Sequence, residues 1–392
     1  MQRITAQTRR GLSSLAVKAS GAGPAVKVLK VVPSAAPLPA LGAKDVGLKF
    51  LLSPIHKADI RVAESAPPAF LGQEGLAEVT EVGSSVTSLK KGDWVVPPLG
   101  FGELFFHFPG TNVLESFTST DLTAKFFTHT GCWRSTAVAS ESVLYRVPSD
   151  IPAPYAATLV GDLATAYRLL NDNGLKKGDV IMQNDATSSV GLAVLQIARE
   201  MGIKTVNVID SSMPEADNAL KLLTNLGGDI NITDAYVNSY GFNELLKELP
   251  PCKLALNGGV EGDVVTHMSR SLSAGGAIVT YSEGAPAVVV PPEFLDGPKE
   301  LSLKTFSIGS WYASKTPVDR AVMFADIAHL VRANKLTLFY QLHDFDDFSY
   351  ALEAAVGSGS FRKVLVNQNF PDRLAEHDAL SQDKYAVFET TV

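Results

Sequence analysis

The sequence predicts an α/β protein in two parts, a compact β-rich, barrel-like domain and a doubly wound domain built on a parallel sheet. Two observations carry that prediction. From Lys27 to about Asp150 the chain runs in short alternating apolar segments broken by Gly and Pro, the pattern of half-buried strands joined by turns. After about Pro152, strand-like apolar runs alternate with amphipathic helical ones, which is how βαβ units are written in sequence.

The totals agree. The chain has 392 residues, 46% of them hydrophobic and 19% charged, enough for two or three domains with a sizeable core. A formal net charge of −7 argues against a nucleic-acid partner, because phosphate contacts need concentrated Lys and Arg. No apolar run approaches the ~18 residues of a bilayer span, so no transmembrane segment is expected. Cys132 and Cys252 are the only cysteines, too few for a disulfide framework or a four-cysteine zinc site.

Taken in order, the first segment is basic. Arg3, Arg9, Arg10, Lys18, Lys27, Lys30 and Lys44 precede any acidic residue, the first being Asp45. Residues 1–24 are rich in Ser and Ala and can place Ile4, Leu12 and Leu15 near one helical face, as mitochondrial leaders do; a disordered basic tail is the alternative. The β-rich part follows over 25–152, with "VKVLKVV", "LAEVTEVG" and "DWVVPP" as strands and Gly92-Asp93 as a corner. A stretch at 101–130 interrupts it: seven phenylalanines fall within 101–127, which either fill local core or meet a partner.

The doubly wound part covers 153–321. "DVIMQ" is a buried strand, and Val190, Val194, Ile197 and Met201 then recur at helical spacing. "KTVNVI" ends in Asp210; helix 214–226, strands "DINIT" and "KLALN", helix 262–273 and strand "GAIVTY" continue the alternation. A helix near 318–335 returns the chain, so that 322–369 rejoins the β-rich domain. Residues 370–392 are a polar tail.

"LGQEGLAEVTEVGSSVTSLKKGDWVVPP", "GCWRSTAV", "VPSDIPAPYAATL", "ATAYRLL", "LKKGDVIMQN" and "KLALNGGV", in this order, closely resemble the mitochondrial trans-2-enoyl thioester reductases. These form a zinc-independent branch of the medium-chain dehydrogenase/reductase superfamily. The resemblance runs from about Lys27 to Asn369, the Phe-rich insert apart. It implies a GroES-like β-rich domain beside a Rossmann domain, and reduction by NADPH of an enoyl thioester on acyl carrier protein or coenzyme A. Hydride goes to the β carbon and a proton to the α carbon. It also implies a mitochondrial location and a homodimer.

Four departures matter. Zinc-binding relatives carry a His in the motif that here reads Gly72-Gln73-Glu74-Gly75, so no zinc is expected and Glu74 reads as structural. The family's proton-donating tyrosine belongs to the loop that here runs from Asp59 to Gly72, which has none; the first tyrosine is Tyr145. His56 and Ser65 are the candidate replacements, with a structural role the stronger reading for His56. In the dinucleotide turn the close-approach glycine is replaced by Ser189, which costs about 1–2 kcal/mol if that position needs a positive φ. Asp185 adds a negative charge there. Asn184, Val190 and Gly191 complete the turn, and the helix it opens would still attract an anion.

The fourth departure concerns cofactor choice. Where the resemblance implies basic residues for a 2′-phosphate, the chain has Asp210 and Ser211. Asp210 lies nineteen residues after Gly191, near the ~20 expected for a carboxylate on a ribose 2′-hydroxyl, so NADH is favoured over NADPH; a solvated loop carboxylate is the alternative. The resemblance also places Trp133, Arg134, Thr165, Tyr281, Trp311 and Lys363 around the nicotinamide and phosphates, with packing the competing role for the tryptophans. Arg134 and Arg168 are candidate anion contacts. Two readings result: an active reductase with altered cofactor preference, its proton coming from water or His56, and a catalytically degenerate relative serving as accessory subunit or scaffold of a mitochondrial complex and holding no cofactor. Quinone reduction is a third.

Overall fold

The computed structural model describes residues 15–21, 23–33, 38–65, 71–97, 131–237, 239–258, 263–281, 297–357 and 361–369. Most of the expected leader, the Phe-rich insert and the polar tail lie outside them.

The first elements among the described residues are β1 (Leu15–Ala19), a short helix α1 (Ala25–Val28) and β2 (Leu29–Pro33), β1 and β2 pairing antiparallel. Leu15 is therefore in a strand, and β1 lies within residues 1–24, where a leader is expected. The reason is tertiary. Val17 N donates to Trp133 O at 2.9 Å and Ser135 N donates to Leu15 O at 2.8 Å, partners that no local pattern reveals. Val17, Ala25 and Leu29 pack with Trp133 and Phe348 in one apolar cluster.

The β-rich domain is a seven-stranded sheet centred on β3 (Asp45–Pro54). β4 (Leu76–Val82), β5 (Trp94–Val96) and β7 (Tyr145–Arg146) extend it on one side, while β6 (Thr136–Ser140) pairs with β3. Gly92 has φ 88, and Asp93 closes the corner by accepting Lys90 N at 3.0 Å. Between β3 and β4, the expected Asp59–Gly72 loop is half helix: α2 (Lys57–Ser65) starts where Asp59 accepts His56 N at 3.0 Å. That bond caps the first turn, and Ile60 and Ala63 bury its apolar side.

The second domain begins with α3 (Ala153–Thr158), a π-helical turn over Leu159–Leu163 and α4 (Ala164–Asn171). Six parallel strands follow in the order β10-β9-β8-β11-β12-β13. They are β8 (Val180–Gln183), β9 (Lys204–Ile209), β10 (Ile230–Thr233), β11 (Cys252–Asn257), β12 (Leu272–Thr280) and β13 (Ser302–Thr305). Helices α5 (Ser189–Met201), α6 (Ala216–Asn225), α7 (Asp234–Val237), α8 (Tyr240–Glu248) and α9 (Asp263–Ser271) lie between strands. Strand order reverses between β8 and β11, and at such a switch point the crevice beyond the carboxyl ends is where ligands bind. The expected face of α5 is the one that packs: Val194 and Ile197 are buried, with Val190 and Met201 against the same cluster.

Helix α10 (Ile308–Ser314) leads into α11 (Pro317–Arg332), which opens with a Thr316–Asp319 capping box and runs unbroken through the expected 321/322 boundary. Its far end returns to the first domain, where Arg332 Nη2 lies 2.7 Å from Asp150 Oδ1. β14 (Tyr340–Asp344), α12 (Phe348–Val356) and β15 (Lys363–Asn367) then complete the first sheet, with β15 antiparallel to β3. One apolar core joins the two domains, bringing Leu51, Leu52 and Val96 together with Leu159, Leu163, Leu256 and Phe324. Among the described residues, no helix is long and apolar enough to cross a membrane.

Candidate active site

At the switch point the ends of β8 and β11 are tied by side chains. Asn184 Nδ2 donates to Asn257 Oδ1 at 2.8 Å, and Asn184 Oδ1 accepts Gly258 N at 2.6 Å. Asn184 thus shapes the crevice floor. The turn that follows places its left-handed residue at Asp185 (φ 52) and not at Ser189, which is already the first residue of α5. No φ penalty therefore falls on Ser189. Asp tolerates the left-handed region better than most residues because its short polar side chain bonds locally.

Ser188 caps α5 by accepting Gly191 N at 3.0 Å. Gly191 is required by contact: a Cβ there would lie 2.6 Å from Asp185 O and 2.8 Å from Ala186 Cα, both backbone atoms that cannot swing aside. Gly191→Ala is expected to cost about 1–3 kcal/mol through overpacking, read as a lower thermal midpoint. An unchanged midpoint would mean that α5 is not held against this turn.

Two buried hydroxyls face this region, those of Ser189 and Tyr281. Asp162 lies beside the first and Ser188 beside the second. Burial, together with the nearby Asp185 charge, pushes the Tyr281 phenol up. A capped helix amino terminus with two buried hydroxyls beside it fits a pyrophosphate and its riboses. Val190 adds an apolar contact to the interdomain core, and Thr165 is buried on α4.

At the end of β9, Asp210 is exposed and accepts both Ser212 N and Ser212 Oγ at 2.7 Å. Ser211 N donates to Asp234 Oδ1 at 2.9 Å. Two carboxylates thus stand where the resemblance implies a basic clamp, and Asp234 was not foreseen.

Below the crevice lies a buried chain of charges joining the domains. Lys363 Nζ is 2.9 Å from Asp162 Oδ2 and 3.0 Å from His56 Nδ1. His56 Nε2 is 2.9 Å from Glu74 Oε2, and Glu74 Oε1 accepts Gly161 N at 2.8 Å. Burial and the Lys363 charge oppose protonation of His56, but Glu74 and Asp162 outweigh them and its pKa is raised. Burial raises Glu74. Burial would raise Asp162 too, but Lys363 and His56 prevail and hold it low. Glu74 thus ties His56 to the backbone of the π-helical turn. His56 has both ring nitrogens engaged, so it is poorly placed to act as an acid. Lys363, expected at the phosphates, is engaged with Asp162 and His56 instead.

The remaining candidates are held by packing. Trp133 is fully buried, donates Nε1 to Pro54 O at 3.4 Å and meets the Phe348 ring edge-on at 4.9 Å. Arg134 forms a backbone bridge to Ala16, and its carbonyl accepts Gln368 Nε2 at 3.0 Å. Burial lowers the pKa of its guanidinium. Trp311 is buried under the Arg168 guanidinium, 4.7 Å from the ring centre, with its indole N–H unpartnered among the described residues. Arg168 also pairs with Asp172 one turn along α4, which accounts for the charge expected to meet an anion. Ser65 ends α2, and its side chain lies outside the described residues.

The alcohol dehydrogenase GroES-like domain model matches residues 42–149. The chain is 35% identical to the mitochondrial enoyl-(acyl-carrier-protein) reductase of Dictyostelium discoideum over 331 residues, covering 83% of this chain and 86% of that one. The chain belongs to the mitochondrial enoyl-(acyl-carrier-protein) reductase family. The human member is 34% identical over 327 residues, with 81% of this chain and 80% of the relative covered. Among solved structures, the Etr1p/NADP/crotonyl-CoA complex superimposes with a TM-score of 0.73 at 24% identity, covering 90% of this reductase and 99% of that chain. The Etr1p/Etr2p heterodimer of Candida tropicalis gives 0.72 over the same shares. At this identity the structural likeness establishes the shared GroES-like and Rossmann fold.

Proposed function

We propose that this reductase is an active, zinc-independent mitochondrial enzyme that prefers NADH and reduces the 2,3 double bond of an enoyl thioester on acyl carrier protein or coenzyme A. The carrying observation is the Ser188-capped amino terminus of α5 with the buried hydroxyls of Ser189 and Tyr281 beside it. Its N–H groups receive the pyrophosphate, with the Ser189 and Tyr281 hydroxyls beside it. Bound NADH supplies the hydride for the β carbon. Asp210 accepts from the ribose 2′-hydroxyl and repels a 2′-phosphate, with Asp234 reinforcing the repulsion. His56, Glu74, Lys363 and Asp162 hold the two domains in register. Water delivers the proton to the α carbon, since no tyrosine precedes Tyr145 and His56 is engaged at both nitrogens. The mitochondrial names of the relatives support the location, and the heterodimer neighbour supports assembly as a dimer.

The test is a fluorescence titration with NADH and NADPH, followed by crotonyl-CoA reduction. Tighter NADH binding and turnover near ~10 per second are expected. NADH binding without turnover would replace this reading with an accessory role, and NADPH binding more tightly would remove Asp210 from the site. Asp210→Arg is expected to raise NADPH affinity about tenfold or more, the scale of one charge-assisted hydrogen bond.

A further inference from the structure

Asp185 departs from what a dinucleotide turn needs, because it sets an acid where a pyrophosphate must pass. Its side chain turns inward. A Cβ placed on Gly258 would lie 2.7 Å from Asp185 Cβ, 3.1 Å from Asp185 Oδ2 and 2.7 Å from the Tyr281 hydroxyl. Carboxyl and phenol therefore share one narrow space beyond the ends of β8, β11 and β12. Helix α5 is capped only three residues on, by Ser188. The groups acting on the carboxyl are Lys57 from α2, Ser188 in the same turn and Tyr281 after β12. Of these only Lys57 is a cation, and it stands on an exposed position.

We propose that Asp185 is a positioning residue that couples dinucleotide binding to the uptake of one proton, its carboxyl being neutral while a pyrophosphate rests on the amino terminus of α5. This rests on the reading of α5 as the dinucleotide site. The balance is simple: carboxylate, one solvent proton and nucleotide give a complex with a new O–H bond on Asp185, with no electron transfer. Burial already pushes this carboxyl up to about 6, against the pull of Lys57 and Ser188. Pyrophosphate charge close by disfavours the carboxylate further. Above the free chain's pKa, binding then takes up a proton, and affinity falls about tenfold for each pH unit until the pKa of the complex is passed.

The test is calorimetric titration of the full chain with NAD+, whose pyrophosphate does not titrate near neutrality. It is run at about pH 5.5, 7 and 8.5 in buffers of different protonation enthalpy, which counts the protons exchanged. The wild type is expected to weaken at least about tenfold across that range and to take up close to one proton near neutrality. Asp185→Asn keeps the shape and tolerates the same φ, and is expected to bind with its low-pH affinity throughout. Asp185→Gly, which suits the turn better still, guards against a folding defect in the first variant. A flat wild-type profile, or the same slope in both variants, overturns the coupling while leaving the site in place. Variants that bind at high pH where the wild type does not support it. Absence of binding in all three at every pH overturns the coupling together with the dinucleotide site.

Discussion

Lys363→Met is expected to destabilise the reductase by about 3–5 kcal/mol, the cost of leaving buried charge without its partner. The pair it breaks is deeply placed: the side chains of Lys363 and Asp162 are only 11% and 10% exposed. The methionine fills similar volume, so most of the loss is electrostatic. Asp162 would keep His56, 3.8 Å from Nδ1 to Oδ1, and the Ser189 hydroxyl, and His56 would lose its contact with the lysine. The double variant Lys363→Met/Asp162→Asn removes both charges and is expected to recover much of the loss, since uncompensated charge and not the absent pair is the main penalty. Denaturant unfolding of the two variants checks this. If Lys363→Met alone unfolds within about 1 kcal/mol of wild type, the cluster is solvated and does not join the domains. Lys363 reaches from β15 to the π-helical turn, while Glu74 reaches Gly161 N from just before β4, so loss of the lysine is felt on both sides of the crevice.

What was legible in the sequence was whatever a local period encodes. The spacing of Val190, Val194, Ile197 and Met201 defined the buried face of α5, and the alternation of strands with helices defined the parallel sheet. Gly191 was legible because close packing leaves one residue type. Features set by partners far along the chain were not. Leu15–Ala19 has composition suited to a leader, and it becomes a strand because β2 and the Trp133–Ser135 backbone accept it. Asp162 sits in the apolar run "LVGDLATA". A lone acid in such a run signals a buried partner, but which partner depends on the return of β15. The position of the left-handed turn residue is not legible for a different reason. A glycine missing from the turn marks Ser189 in the sequence, whereas the left-handed position falls on Asp185.

Asp185 gives the second large effect, and its sign depends on pH. Its folded pKa is about 6 against an ordinary 3.8. Between those values the folded chain holds a proton that the unfolded chain has released, so stability falls as pH rises through that window. The loss is complete above about pH 6 and amounts to about 2–3 kcal/mol. Asp185→Asn carries no such charge and should therefore be more stable than wild type by up to that amount near pH 7.5, and no more stable near pH 4. Asn also tolerates positive φ, so backbone strain cancels from the comparison. Chemical denaturation of both proteins at the two pH values separates the possibilities: a gain equal at both would reflect packing, and no gain at neutral pH would mean that the carboxylate is hydrated. The expected result, stability gained only where the wild-type carboxylate is ionised, would make the turn a place where the free chain tolerates an unfavourable charge beside its proposed dinucleotide site.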